Sequence, residues 1–247
     1  MSTYVMSDLH GNYEAYLQML EKIDFQDSDM LYILGDVLDR GPHPIKIIVD
    51  LMERPNVEVI AGNHCVMACE CFSFLLKEIT EESVAMMDES TIGKLLSWQQ
   101  NGANSTIREL RKYDKQMQRD IIEFISEFEL CDEVEVGDKT FILVHAGLGN
   151  FAPEKEIWEY DLNELVWERP DYEKPYFEDK YVITGHTPTM LIENNPNPGF
   201  IYQKNHHIAI DCGCSFQGGR LGCIRLEDMK EYYVEGTADE SEDCKCD

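Results

Sequence analysis

The feature that most constrains this chain is a unit it repeats three times near its start: a short apolar run, a loop carrying Gly with Asp, Asn or His, then apolar residues at helical spacing. Thr3-Tyr4-Val5-Met6 stops at Ser7-Asp8-Leu9-His10-Gly11-Asn12, and Tyr16, Leu17, Leu20 and Ile23 follow in helical rhythm. Met30 to Leu34 stops at Gly35-Asp36-Val37-Leu38-Asp39-Arg40-Gly41, ahead of Ile45, Ile48, Val49 and Met52. Val57 to Ile60 stops at Ala61-Gly62-Asn63-His64, and a further helix is expected behind it. Strand, loop and helix in succession predict a parallel sheet with right-handed crossovers. The three loops then open on one edge, where α/β sheets bind their ligands.

From Phe72 to Leu130 the strand signals stop. Leu75, Leu76 and Ile79, then Leu95, Leu96 and Trp98, then Ile121, Ile122, Phe124, Ile125 and Phe128 recur at helical intervals among many charges, which predicts a helical cap inserted over about residues 72–130. Strands return as a hairpin of 133–136 and 140–144 about Gly137-Asp138, ending at His145-Ala146-Gly147. Tyr181 to Thr184 ends at Gly185-His186-Thr187-Pro188, His207 to Ile210 ends at Asp211-Cys212-Gly213, and Leu221 to Leu226 and Glu231 to Val234 complete the set. One catalytic domain over residues 1–235 is expected, with an acidic, solvated tail over 236–247.

A length of 247 residues suffices for one full core. The formal net charge of -27 argues against nucleic acid or an anionic membrane as partner, because long-range repulsion opposes every such encounter. No apolar run approaches ~20 residues and no leader pattern opens the chain, so a cytoplasmic protein is expected. Nine cysteines in spacings unlike zinc-binding pairs are expected to be free thiols, Cys65 and the Cys244-Lys245-Cys246 tail included.

Five strand ends carry candidate ligands: Asp8 with His10, Asp36, Asn63 with His64, His145, and His186. Four of the seven histidines fall in these Gly-flanked loops. Mixed carboxylate, imidazole and carboxamide donors suit two divalent transition-metal ions, Mn foremost with Fe or Zn as alternatives, better than a thiolate-seeking metal or calcium. Asp36, on the central loop, is the natural bridge, with Asp8 and His10 on one ion and Asn63, His145 and His186 on the other. Ions ~3.5–4 Å apart share a water, lower its pKa and stabilise in-line displacement at phosphorus, so phosphoester hydrolysis by a bridging hydroxide is the predicted reaction.

The five motifs, in this order and at these spacings, resemble those of calcineurin-like metallophosphoesterases, specifically the phosphoprotein phosphatase family and its bacterial serine/threonine-type members, over about residues 3–226. Trp98 to Thr106 also resembles the Trp and Asn-Gly segment of the bacterial members. The resemblance implies an α/β (α+β) fold, a two-layer β-sandwich flanked by helices, in place of the single open sheet that periodicity suggests. It further implies that His64 is the general acid rather than a ligand, oriented by Asp39, and that Arg40 holds the phosphoryl oxygens with Asn63 and, from Val166-Trp167-Glu168-Arg169, Arg169. An imidazole beside a carboxylate suits proton transfer near neutral pH, and a guanidinium suits phosphate through paired hydrogen bonds.

Two positions depart from the family pattern. Ala61 stands where many members have a phosphate-binding arginine, and Cys65 stands where an acidic residue is usual. The expected substrate is a phosphoprotein or small phosphoester, with a symmetrical diadenosine tetraphosphatase as the alternative. The large negative charge and the small number of cleft cations favour a single phosphoryl group over a four-phosphate chain.

Overall fold

The computed structural model describes residues 1–75 and 88–236. Its strands form two five-stranded sheets, so the first five strands after the insertion build a second sheet and only the last two extend the first. In the first, β1 (Thr3–Met6), β2 (Met30–Leu34) and β3 (Val57–Ile60) run parallel, as the repeated unit predicts. β9 (Arg220–Arg225) joins them antiparallel beside β1, with β10 (Lys230–Glu235) outside it, giving the order β10-β9-β1-β2-β3. The second sheet has the order β4-β5-β6-β8-β7, from β4 (Cys131–Val136), β5 (Lys139–Val144), β6 (Lys180–Thr184), β7 (Tyr202–Lys204) and β8 (His207–Ala209).

Strand alternation explains why β1, β2 and β5 read as unbroken apolar runs. Val5, Tyr32, Leu34 and Ile60 face Phe141, Leu143, Ile183 and Ile208 across the space between the sheets. Their neighbours Tyr4, Met6, Leu31 and Ile33 point the other way, into a core shared with the helices. Ile142 and Val144 likewise pack on the far side of the second sheet, against Leu165 and Val166. The result is a two-layer sandwich flanked by helices.

Helices α1 (Tyr13–Lys22), α2 (Pro44–Leu51) and α3 (Asn63–Leu75) follow β1, β2 and β3 in turn. Asn63 and His64 therefore lie in the first turn of a helix rather than in a loop. The insertion supplies α4 (Glu89–Gln100), α5 (Asn104–Leu110) and α6 (Lys115–Ser126), and these lie against α2 and α3. Asp88 and Asp114 cap α4 and α6, each accepting backbone N–H bonds in the first turn. α2 starts with Pro44 at its first turn and no side-chain cap from His43. Glu109 of α5 supplies that cap, its Oε2 accepting from Ile45 N at 2.7 Å and Lys46 N at 3.3 Å. Leu76, Ile79 and the tail with Cys244 and Cys246 lie outside the described residues. Among those described, no helix is long and apolar enough to cross a membrane.

Candidate active site

The backbone carries the strand ends into one another before any side chain acts. Beyond β1 and β2, Asp8 N donates to Gly35 O at 3.2 Å and His10 N to Asp36 O at 2.8 Å, while in the second sheet Gly185 N donates to His145 O at 2.8 Å. These loops are bent into a region that L-residues avoid. Asp8, His10, Asp36, Asp39, Arg40 and His186, all singled out from the sequence, have φ between 42° and 69°. Such strain persists only where surrounding bonds enforce it, and it clusters at functional sites.

Asp36 lies at the centre. Its Oδ2 is 3.5 Å from His145 Nε2, 3.7 Å from His10 Nε2 and 3.9 Å from His64 Nε2. Two groups of potential ligand atoms share it, His10 with Asp36 and His64, and Asp36 with His145 and His186, each gathered within 4.8 Å. His10 Nδ1 donates to Leu38 O at 3.0 Å and His145 Nδ1 to Leu34 O at 2.8 Å, so each ring turns its Nε2 inward. For His145 that nitrogen lies 2.9 Å from Asn63 Oδ1, an amide oxygen. Imidazole nitrogens, a carboxylate and an amide oxygen converging in this way fit a cation between them.

Charge points the same way. Burial, aided by Arg40 and His64, pushes His10 well below the usual imidazole range, and burial with His145 pushes His186 down to about 3, leaving both imidazoles neutral. Burial together with the Asp211 and Asp36 carboxylates raises Asp8. Burial likewise raises Asp211 to about 6. Asp36 goes the other way, held below the usual carboxylate range by His145, His64, His10 and His186 despite its burial, so the cluster favours a negative charge at Asp36 and divalent ions would relieve the repulsion that raises Asp8. Two glycines let the backbone approach these carboxylates: a Cβ on Gly62 would lie 2.2 Å from Asp36 Oδ1, and one on Gly185 would lie 2.2 Å from Asp8 Oδ2. Asp8 Oδ2 also accepts from His186 N at 3.1 Å.

Beside this cluster His64 Nδ1 donates to Asp39 Oδ2 at 2.7 Å, with both residues buried. Trp98 Nε1 donates to the same oxygen at 2.8 Å, and Thr106 Oγ1 donates to Asp39 Oδ1 at 2.6 Å. Arg40 Nη2 donates to His64 Nε2 at 3.2 Å and Nη1 to Ser215 Oγ at 3.4 Å. Arg169 is exposed, yet close enough for its charge to help lower His186 and Asp211. Burial, with Asp36 adding to it, pushes the Cys65 thiol up, so it is no ready thiolate.

The structure thus gathers Asp8, His10, Asp36, Asp39, Arg40, Asn63, His64, His145 and His186 into one site, with Arg169 acting on it through charge. Sequence reasoning gave no role to Asp211, although it lies just past β8 beside a glycine-containing turn, Asp211-Cys212-Gly213. It gave none to Ser215, or to Trp98 and Thr106, whose partner is a residue about 60 positions earlier in the chain.

The chain belongs to the calcineurin-like phosphoesterase family, whose profile matches residues 1–195. A bis(5'-nucleosyl)-tetraphosphatase named as asymmetrical, from Bacillus cereus, is 27% identical over 257 residues, covering 93% of this chain and 92% of that protein. A symmetrical bis(5'-nucleosyl)-tetraphosphatase from Buchnera aphidicola is 44% identical over 66 residues, 26% of this chain, and the match spans only 24% of that protein. Among solved structures, a candidate diadenosine tetraphosphatase superposes with a TM-score of 0.66 at 16% identity, covering 96% of this chain and 94% of that one. A protein serine/threonine phosphatase from Saccharomyces cerevisiae superposes with a TM-score of 0.60 at 14% identity, covering 98% and 82%. These structures share the fold.

Proposed function

We propose that this phosphoesterase hydrolyses phosphomonoesters of alcohols, with phosphoserine or phosphothreonine in a protein as the substrate class. Asp8, His10 and Asp36 would hold one divalent ion and Asp36, Asn63, His145 and His186 a second, Mn being the metal expected. Ions held there would supply Lewis-acid charge at the phosphoryl group and lower the pKa of water. Arg40, with Arg169 at the rim, binds the non-bridging oxygens. Engaging them takes Arg40 Nη2 off His64 Nε2 and frees that nitrogen to take up a proton from solvent and pass it to the departing oxygen.

The observation that carries this reading is the buried Asp39–His64 pair. An alkoxide leaves water-poor surroundings only with a proton, so a rigid proton donor matters most for serine and threonine esters. A departing phosphate ionises near neutral pH and needs far less help. A second reading, hydrolysis of dinucleoside tetraphosphates, is favoured by the likeness to the Bacillus cereus protein along nearly the whole chain. Arg108, Arg111 and Lys112 of the insertion are exposed and available to a longer anionic substrate. The test is kcat/KM with Mn for a phosphoserine peptide against diadenosine tetraphosphate. The first reading expects the peptide to be preferred. Preference for the dinucleotide, lost on changing Arg108 and Arg111 to Ala, would establish the second.

A further inference from the structure

We infer that Trp98 and Thr106 are positioning residues for the proton-donating imidazole, acting through Asp39, so that the helical insertion is part of the catalytic apparatus rather than a cover laid over it. The inference rests on reading His64 as the general acid.

A buried aspartate beside a histidine is free to turn about its last torsion, which is broad and nearly two-fold, and each turn redirects the imidazole it holds. Here both oxygens are fixed. Oδ2 takes the indole N–H of Trp98 as well as His64 Nδ1, and Oδ1 takes the hydroxyl of Thr106. Thr106 Oγ1 in turn accepts from Asp39 N at 3.0 Å, so one hydroxyl holds backbone and carboxylate together. The next residue is tied to the same segment, since Arg40 N donates to Gly102 O at 3.0 Å. Asp39 and Arg40 have φ of 69° and 63°, conformations they would leave without such restraint. Residues 98–106 therefore hold the strained end of the β2 loop by its backbone and its carboxylate at once.

A purely architectural role for the same side chains makes a different prediction. Trp98 is fully buried and meets Phe72 edge to face, with ring centroids 5.9 Å apart, so it also fills space. Trp98→Phe keeps most of that packing and removes only the N–H. Thr106→Val keeps the shape and removes only the hydroxyl.

Both variants are compared with the parent on an alkyl substrate, glycerol 2-phosphate, and an aryl one, p-nitrophenyl phosphate, using Mn-loaded protein of measured metal content. General acid catalysis is worth ~10²–10⁴-fold, so a misdirected imidazole should lower kcat on the alkyl ester by about 10-fold or more. The aryl rate should stay within about 2-fold, because a good leaving group departs without the proton. KM and metal content should not move, and Thr106→Ser should restore the alkyl rate lost in Thr106→Val. In a His64→Ala background Trp98→Phe should add no further loss, because both act on one proton transfer. Equal losses on the two substrates, or additive losses with His64→Ala, would show a structural role and overturn the inference, as would an unchanged alkyl rate. If His64→Ala itself lowers both substrates equally, the general-acid reading is wrong, and this inference falls with it.

Discussion

Gly62→Ala puts the geometry of the site under the sharpest test. The added Cβ would lie 2.2 Å from Asp36 Oδ1 and 2.6 Å from Asp36 N. An ordinary contact needs over 3 Å, so the carboxylate must withdraw by roughly 1 Å, and the backbone nitrogen has no alternative rotamer through which to escape. Withdrawal also strips Asp36 Oδ1 of the 3.1 Å bond from His64 N. Overpacking of this kind costs about 1–3 kcal/mol of stability, which a domain of this size survives. A misplacement near 1 Å in a reacting centre costs on the order of 10²-fold in rate. The variant should therefore stay folded, lose Mn on dialysis and turn over p-nitrophenyl phosphate about 100-fold more slowly. Gly93→Ala is the control, since nothing lies within 4 Å of a Cβ there. On an exposed helix it should leave the rate alone and add up to about 1 kcal/mol of stability. Full metal content and near-normal turnover in Gly62→Ala would refute the packing of Asp36 described above.

Two further outcomes follow from groups that sequence reasoning overlooked. Glu109→Ala removes the acceptor for the N–H groups of Ile45 and Lys46 and should cost about 1–3 kcal/mol in urea unfolding; a change below about 0.5 kcal/mol would mean that water replaces the cap without loss. Asp211, raised to about 6, keeps its proton in the folded state at pH values where the unfolded chain has lost it. Its contribution to the stability of metal-free protein should therefore fall as pH rises from about 4 to 6, by roughly 2–3 kcal/mol, and Asp211→Asn should flatten that part of the profile. Parallel profiles for parent and variant would contradict the assignment.

What the sequence made legible was local. Each of Asp8, His10, Asp36, His145 and His186 follows an apolar run and lies within three residues of a glycine, so strand, bend and candidate ligand are encoded within about ten residues. Resemblance supplied the two-sheet arrangement that periodicity alone did not, because pairing partners leave no local mark. Nothing in Leu221 to Leu226 says that β9 pairs with β1, more than 200 residues away, rather than with its neighbours in the chain. Three-residue β7 carried too little pattern to be recognised. The segment from Trp98 to Thr106 stood out by resemblance but without a role, Glu109 read as an ordinary residue of an amphipathic insertion, and only tertiary packing brings them to Asp39 and to the start of α2. Asp211 was hidden for a different reason: no histidine or second carboxylate stands beside it in the chain, and its carboxylate partners Asp8 and Asp36 come from the ends of two other strands.

The central claim is that Asp36 serves two ions at once, and titration of metal-free protein with Mn, followed by calorimetry and electron paramagnetic resonance, tests it most directly. Two equivalents per chain with a spin-coupled spectrum are expected, and Asp36→Asn should bind at most one, uncoupled. A single equivalent in the unaltered chain, or two uncoupled ions that survive Asp36→Asn, would contradict it.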